Sequence, residues 1–227
     1  PEQYYLNYTD ALTAALNGAT LTFSDETVMD GTAEHPFEIR SVADLKALAD
    51  AVNAGKSADK CFVQTDNIDM KDAGAFAGIG VYAKVPTAGK PFTGTYNGQN
   101  HKIMNVTRAA GDTQGVFNQV GVGGVVENLV VSNMTFDSSL TGDYGCAIVG
   151  NAGGGATLRN LTAEGVFGSA DNPGTHNIAG IVVRVCGGAD SATVTTVANC
   201  KNNAAIYGAY TKLGGICAIA QTQTGFT

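Results

Sequence analysis

The chain has 227 residues, a net charge of −7 and only 15% charged side chains, so it is long enough to bury a substantial core in one large or two small domains. The acidic balance argues against nucleic acid, since no basic patch is present to neutralise phosphates, and it would repel an anionic membrane surface. No apolar run approaches the roughly 20 residues of a membrane span, and Pro1-Glu2-Gln3-Tyr4-Tyr5 has neither the basic nor the greasy region of a signal peptide.

Thirty glycines and no tryptophan, with many Val, Thr, Asn and Ala, favour strands and tight turns over helices. Residues 1–30 read as a lead-in or the end of a preceding module, with a short helix around Leu12–Leu16 and an alternating strand at Ala19–Phe23. The turn-rich Gly31-Thr32-Ala33-Glu34-His35-Pro36 marks a unit boundary, followed by a short strand at Phe37–Ile39. The one strong helix signal spans about 41–54. Ser41 is a good N-cap with Asp44 three residues on, and Val42, Leu45, Leu48, Ala49 and Val52 form one apolar stripe. Asn53-Ala54-Gly55 supplies the stop. A single amphipathic helix ahead of a strand array is suited to covering its open apolar end.

Cys61–Gln64 and Ile68–Met70 are strand-like, and Pro91–Tyr96 leads into Asn97-Gly98, a tight-turn pair that predicts a return strand at His101–Val106. From about residue 111 a Gly-led apolar strand recurs: Gly115-Val116-Phe117, Gly145–Gly150, Ala179–Val183 and Gly214–Ile219. Aligning Phe117, Ile148, Ile181 and Ile216 gives steps of 31, 33 and 35 residues. A period of that size means units that bury their apolar faces on one another. Each is followed by a second strand in which Asn128, Asn160 and Asn199 align, placed to hydrogen-bond along the stack and to satisfy backbone at a corner. The whole predicts an all-β fold, a right-handed parallel β-helix with one N-terminal capping helix, spanning 31–227. The last unit lacks its Asn-bearing partner strand, which predicts a fragment of a longer protein or an end covered by something else.

Gly31–Ile39 with Ser41–Leu45, the stretch Asp66–Met70, and above all Phe92-Thr93-Gly94-Thr95-Tyr96-Asn97-Gly98-Gln99-Asn100-His101-Lys102-Ile103 resemble secreted Bacteroidetes surface proteins with GLUG-type repeats. The Gly-led strands resemble the repeat itself, with its second glycine kept only in Gly145–Gly150. The resemblance covers about residues 31–220. It implies an extracellular or cell-surface β-helix, adhesin-like, often one module among further domains, and it implies no catalytic residue.

Candidate sites are few. His101 follows the Asn97-Gly98 turn with no base or nucleophile suggested nearby, and reads as a structural histidine; His35 and His176 lie in loop-like surroundings. Asp66, Asp69 and Asp72 are the one calcium candidate, against a reading as solvated carboxylates, and no other cofactor is expected. The rival to a binding module is a carbohydrate-active β-helix enzyme, a lyase or glycoside hydrolase. Such an enzyme needs paired carboxylates in one groove, yet Glu127, Asp137, Asp143, Glu164, Asp171 and Asp190 are sparse, and Glu127 beside Arg159 reads as a surface ion pair. The five cysteines, Cys61, Cys146, Cys186, Cys200 and Cys217, lack metal-type spacing and read as small core hydrophobes. Sequons begin at Asn7, Asn105, Asn133 and Asn160 but mean little in a bacterial source, and Thr193, Thr195 and Thr196 are too short a cluster to order ice. Polar loops 137–144, 168–177 and 186–193 are where a glycan or host surface protein would be met.

Overall fold

The computed structural model describes residues 7–19, 21–22, 28–82, 89–108, 115–135, 148–168, 177–187, 193–208 and 212–221. It is mostly β, with parallel sheets and two helices. The short helix expected around Leu12–Leu16 is present as α1 (Tyr8–Leu16), built from an Asn7 N-cap whose side chain accepts from Asp10 N, so the N-terminal end carries two helices where one capping helix was expected. Leu12 and Leu16 face inward beside Leu45, Leu48 and Val52 of α2 (Val42–Asn53), and all five are fully or almost fully buried. The start of α2 is the expected one. Ser41 Oγ accepts from Asp44 N, while the Asp44 carboxylate, buried at the helix N-terminus, accepts from Arg40 N and from Thr9 Oγ1 of α1.

The strands, in chain order, are β1 (Leu21–Thr22), β2 (Val28–Met29), β3 (Phe37–Ile39), β4 (Cys61–Gln64), β5 (Ile68–Asp69), β6 (Thr95–Asn97), β7 (Lys102–Thr107), β8 (Phe117–Val120) and β9 (Val125–Thr135). They continue as β10 (Val149–Ala152), β11 (Thr157–Phe167), β12 (Ile178–Ala179), β13 (Val182–Cys186), β14 (Thr196–Ala198), β15 (Lys201–Asn202), β16 (Ala205–Ile206), β17 (Leu213–Gly214) and β18 (Cys217–Gln221). Apart from the antiparallel pair β1–β2, every strand pairs in parallel with a counterpart well separated in sequence. The largest sheet runs β3-β4-β6-β9-β11-β14, joined by β5, β7, β15 and β16; a second runs β8-β10-β13-β18; β12 pairs with β17.

The register files apolar side chains into columns. Phe37, Phe62, Tyr96, Val126, Leu158 and Val197 lie opposite one another in turn, and all but Val197 are buried. Phe92 stands between Phe62 and Phe117, with ring centroids 6.0 and 5.4 Å away, and Tyr96 meets Phe117 edge-on at 5.2 Å. An aromatic column therefore fills the N-terminal half, and smaller Val, Leu, Ile and Ala side chains with Phe167 fill the rest.

Two expectations are corrected here. Asn97-Gly98 does not form a hairpin: β6 and β7 do not pair with each other, and both lie parallel to β9. Gly98 N and Asn100 N donate to Glu127 O and Asn128 O of β9, so the turn becomes a corner held by the neighbouring strand. The repeat alignment is also one residue out at Phe117. Phe117 lies opposite Val149, which lies opposite Val182 and then Cys217. Ile148, Ile181 and Ile216 share the preceding position, so Val116 is their counterpart; bulk drew the alignment to the phenylalanine where the glycine spacing sets the register.

Candidate functional site

The asparagines found by alignment sit where the largest sheet bends. Asn128, Asn160 and Asn199 have φ of 51, 54 and 53°, a left-handed backbone that Asn tolerates better than any residue but glycine. Asn128 and Asn160 lie within β9 and β11, whereas Asn199 falls between β14 and β15. Asn160 Nδ2 donates to Asn128 Oδ1 at 2.7 Å, and Asn128 Nδ2 donates to Asn97 Oδ1 at 3.1 Å. Gly98 lies against this corner; a Cβ there would fall 2.5 Å from Asn128 O.

A second ladder escaped the sequence reading. Val166 N donates to Asn133 Oδ1, Asn133 Nδ2 to Asn105 Oδ1 at 3.2 Å, and Asn105 Nδ2 to Asp69 Oδ1 at 2.8 Å. Asn105 and Asn133 are again left-handed, at φ 56 and 58°. The next strand puts Gly165 (φ 70°) against this ladder, in a bulge where a Cβ would lie 2.1 Å from Asn133 Oδ1. Its sequence signal was available: Asn105 and Asn133 begin two of the sequons.

Asp69 therefore ends a hydrogen-bonded chain. The Asn105 amide, helped by the Lys71 N–H, holds its carboxyl below the usual range. Asp66 accepts from Thr65 Oγ1. Among the described residues no three His, Cys, Asp or Glu side chains converge on a metal position.

His101 is half-buried, and its backbone closes the corner through His101 N donating to Gly98 O and Val130 N donating to His101 O. His35 is exposed, and its carbonyl accepts from Asp30 N and Gly31 N. Glu127 and Arg159, opposite one another on β9 and β11, form an ion pair. Lys102 reaches Glu164 at 2.8 Å. Cys61, Cys186, Cys200 and Cys217 are free thiols, and burial pushes the last three above the ordinary thiol range. A thiol held protonated is a poor nucleophile. Cys146, His176, Asp137, Asp143, Asp171, Asp190, nearly all of loops 137–144 and 168–177, and most of 186–193 lie outside the described residues.

Two connected grooves lie on the helical side. One of about 400 Å³ runs between α1 and α2 past Thr9, Thr13, Lys46 and Asp50; the other, of about 180 Å³, continues past Lys46 and Asp50 to Phe76. Among the described residues Asp50 is the single carboxylate lining either groove, so these residues do not supply the acid pair that glycoside hydrolysis uses. Sequence reasoning also missed Tyr8. Its hydroxyl donates to Glu38 O at 2.9 Å and accepts from Glu38 N at 3.0 Å, taking up the free edge of β3, while the Arg40 guanidinium lies 3.7 Å over its ring. Burial raises the Tyr8 hydroxyl above the ordinary phenol range.

These features define a protein of parallel β-strands bent at asparagine corners. No family model matches the chain, and no solved structure matches it. Among curated proteins it is similar to halomucin of Haloquadratum walsbyi (strain DSM 16790 / HBSQ001), at 33% identity over 150 residues, 64% of this chain. The match spans about 2% of that protein's length.

Proposed function

We propose that this chain is a non-catalytic module of a surface protein: a right-handed parallel β-helix, adhesin-like, that presents loops on a rigid scaffold outside the cell. The reading rests above all on the register, in which strand after strand pairs in parallel with a counterpart one repeat away and bends at the same asparagine. Parallel crossovers of this kind are right-handed in nearly all proteins, which gives the helix its hand. The GLUG-type resemblance of the sequence supports an extracellular place. So does the likeness to halomucin, whose name marks a mucin-like protein and whose far greater length fits a segment of a long chain. Among the described residues no helix is long and apolar enough to cross a membrane.

Loops 137–144, 168–177 and 186–193 are the proposed recognition surface, with a glycan or host surface protein as ligand. The test is a glycan and extracellular-matrix array probed with the purified chain and with variants whose loops are replaced one at a time by Gly-Ser. Binding that disappears with one loop, in a variant keeping its circular dichroism spectrum, is the expected result. An array without binders, together with cleavage of a polysaccharide panel, would overturn the reading in favour of an enzyme.

A further inference from the structure

The rungs of the proposed helix are not equally covered, and the difference points to a partner. Leu158, Leu161, Phe167, Ile181 and Val182 are fully buried. Their counterparts one rung on, Val197, Cys200, Ile206, Ile216 and Cys217, are only half-buried. Val194 and Leu213 are 67% and 58% exposed. Among the described residues β14, β15, β16 and β18 end their sheets, each paired on one side alone. Backbone N–H and C=O groups thus point along the stack beside an apolar floor.

Charge separates this end from the rest. From Thr193 to Thr227 the sequence carries Lys201 and Lys212 and no carboxylate side chain, in a chain whose net charge is −7. Both lysines are exposed.

We infer that this face docks one further parallel β-rung, an extended segment with apolar residues turned inward and carboxylates beside Lys201 and Lys212. The inference rests on the β-helix reading. Continuity carries it: three sets of parallel pairing reach this face, the left-handed asparagine corner recurs there at Asn199, and a rung of the same pattern extends all of them at once. A second copy fits worse. Its opposite end is closed by α1 and α2, with Tyr8 on the backbone of Glu38. Only the like end remains, which would set lysine against lysine and run the strands antiparallel.

The test uses the whole chain extended after Thr227 by a copy of residues 157–187, a rung that carries all three strand positions. Hydrogen exchange of the amides in β14, β16 and β18 is read against the unextended chain. At least a tenfold slowing is expected, absent when the appended copy carries Ile181→Asp and Val182→Asp. An appended Thr162→Glu, which the register sets beside Lys201, should slow exchange further, and 1 M NaCl should remove that increment. Should the extension fail to fold, residues 157–187 are added as a free peptide to the unmodified chain, with the same slowing expected. No slowing with either probe, or equal slowing with the Asp-bearing control, overturns the inference. So does an unextended chain that sediments as a dimer, since a second copy is then the occupant. Loss of the β-helix itself would show differently, as fast exchange in β4, β6 and β9 of every variant.

Discussion

The two ends of the molecule meet the same physical problem and differ in how they meet it. At the N-terminal end the edge strand β3 is short, its backbone is occupied by the Tyr8 hydroxyl, and α1 and α2 press Leu12, Leu16, Leu45, Leu48 and Val52 onto the aromatic column. At the other end the same columns finish in Val197, Ile216 and Cys217, with water on one side. A strand stack propagates its pattern by register alone, and register gives no way to stop. Stopping takes a different element: here, two helices and one phenol.

The largest effect that separates the ends is in packing. Phe92 is fully buried between Phe62 and Phe117, and Phe92→Ala should cost about 3–5 kcal/mol. Ile216→Ala, at a half-buried site, should cost about 1 kcal/mol, while Ile181→Ala at the same position one rung earlier should cost about 2–4 kcal/mol. Urea unfolding of the three variants checks this. Equal costs for Ile181 and Ile216 would erase the distinction between a covered and an open end.

The cap itself comes next. Tyr8→Phe keeps the ring beneath Arg40 and strips the hydroxyl from both backbone groups of Glu38. A loss of about 1–3 kcal/mol is expected, with faster exchange in β3 and β4 ahead of β13. Tyr8 also makes the cap sensitive to base. Its hydroxyl titrates higher folded than unfolded, so its stabilisation is complete below the unfolded value of about 10 and declines as pH rises beyond it. Tyr96, fully buried with its hydroxyl donating to Gln64 Oε1, shifts the same way. The tyrosinate absorbance that Tyr8 and Tyr96 contribute, read as the difference between the parent and the Tyr8→Phe and Tyr96→Phe variants because the chain has eight tyrosines, should therefore appear together with unfolding, and early ionisation of both residues in a folded chain would contradict the buried placement.

How much of this was legible in the sequence depends on whether a signal is local. Helix α2 was, because an N-cap, an apolar stripe and a stop lie within one short stretch. The corner asparagines were, because a left-handed backbone position recurs at each repeat and few residue types tolerate it. The Asn97-Gly98 turn misled for the opposite reason: the pair favours a hairpin locally, and hydrogen bonds to β9 redirect it. Phe117 misled because side-chain bulk and glycine spacing disagree by one residue. The Tyr8–Glu38 and Tyr96–Gln64 bonds join residues 30 and 32 positions apart and had no local trace. Of the candidate ligand surface the sequence marks polar loops but not their shape.

A smaller difference separates the middle of the asparagine ladder from its end. Asn128 both donates and accepts along the stack, so Asn128→Ala loses two amide bonds and places alanine in a left-handed backbone, at about 2–3 kcal/mol in all. Asn199→Ala shares the backbone term, about 1 kcal/mol, and should be the milder variant. Glycine at either position should recover most of the backbone part, which thermal melts of the four variants would separate from the amide part.

The finest contrast is between the two ladders and concerns acid. The Asn97–Asn128–Asn160 ladder contains only amides, whereas the Asn133–Asn105 ladder ends on the Asp69 carboxylate, which the Asn105 amide holds below the ordinary value. A depressed carboxyl stabilises the fold fully above its unfolded value of about 3.9, and that contribution declines as pH falls through the folded value. Asp69→Asn removes the titrating group and keeps an acceptor oxygen for Asn105. The variant should be slightly less stable than the parent at neutral pH and should lose less stability between about pH 5 and 2. Because Asp69 is exposed, the effect belongs at the small end of the scale and should shrink in high salt. Parallel acid titrations of the two proteins, followed by circular dichroism, decide it. Superimposable curves would mean that the carboxylate is a bystander and that the second ladder, like the first, is held by its amides alone.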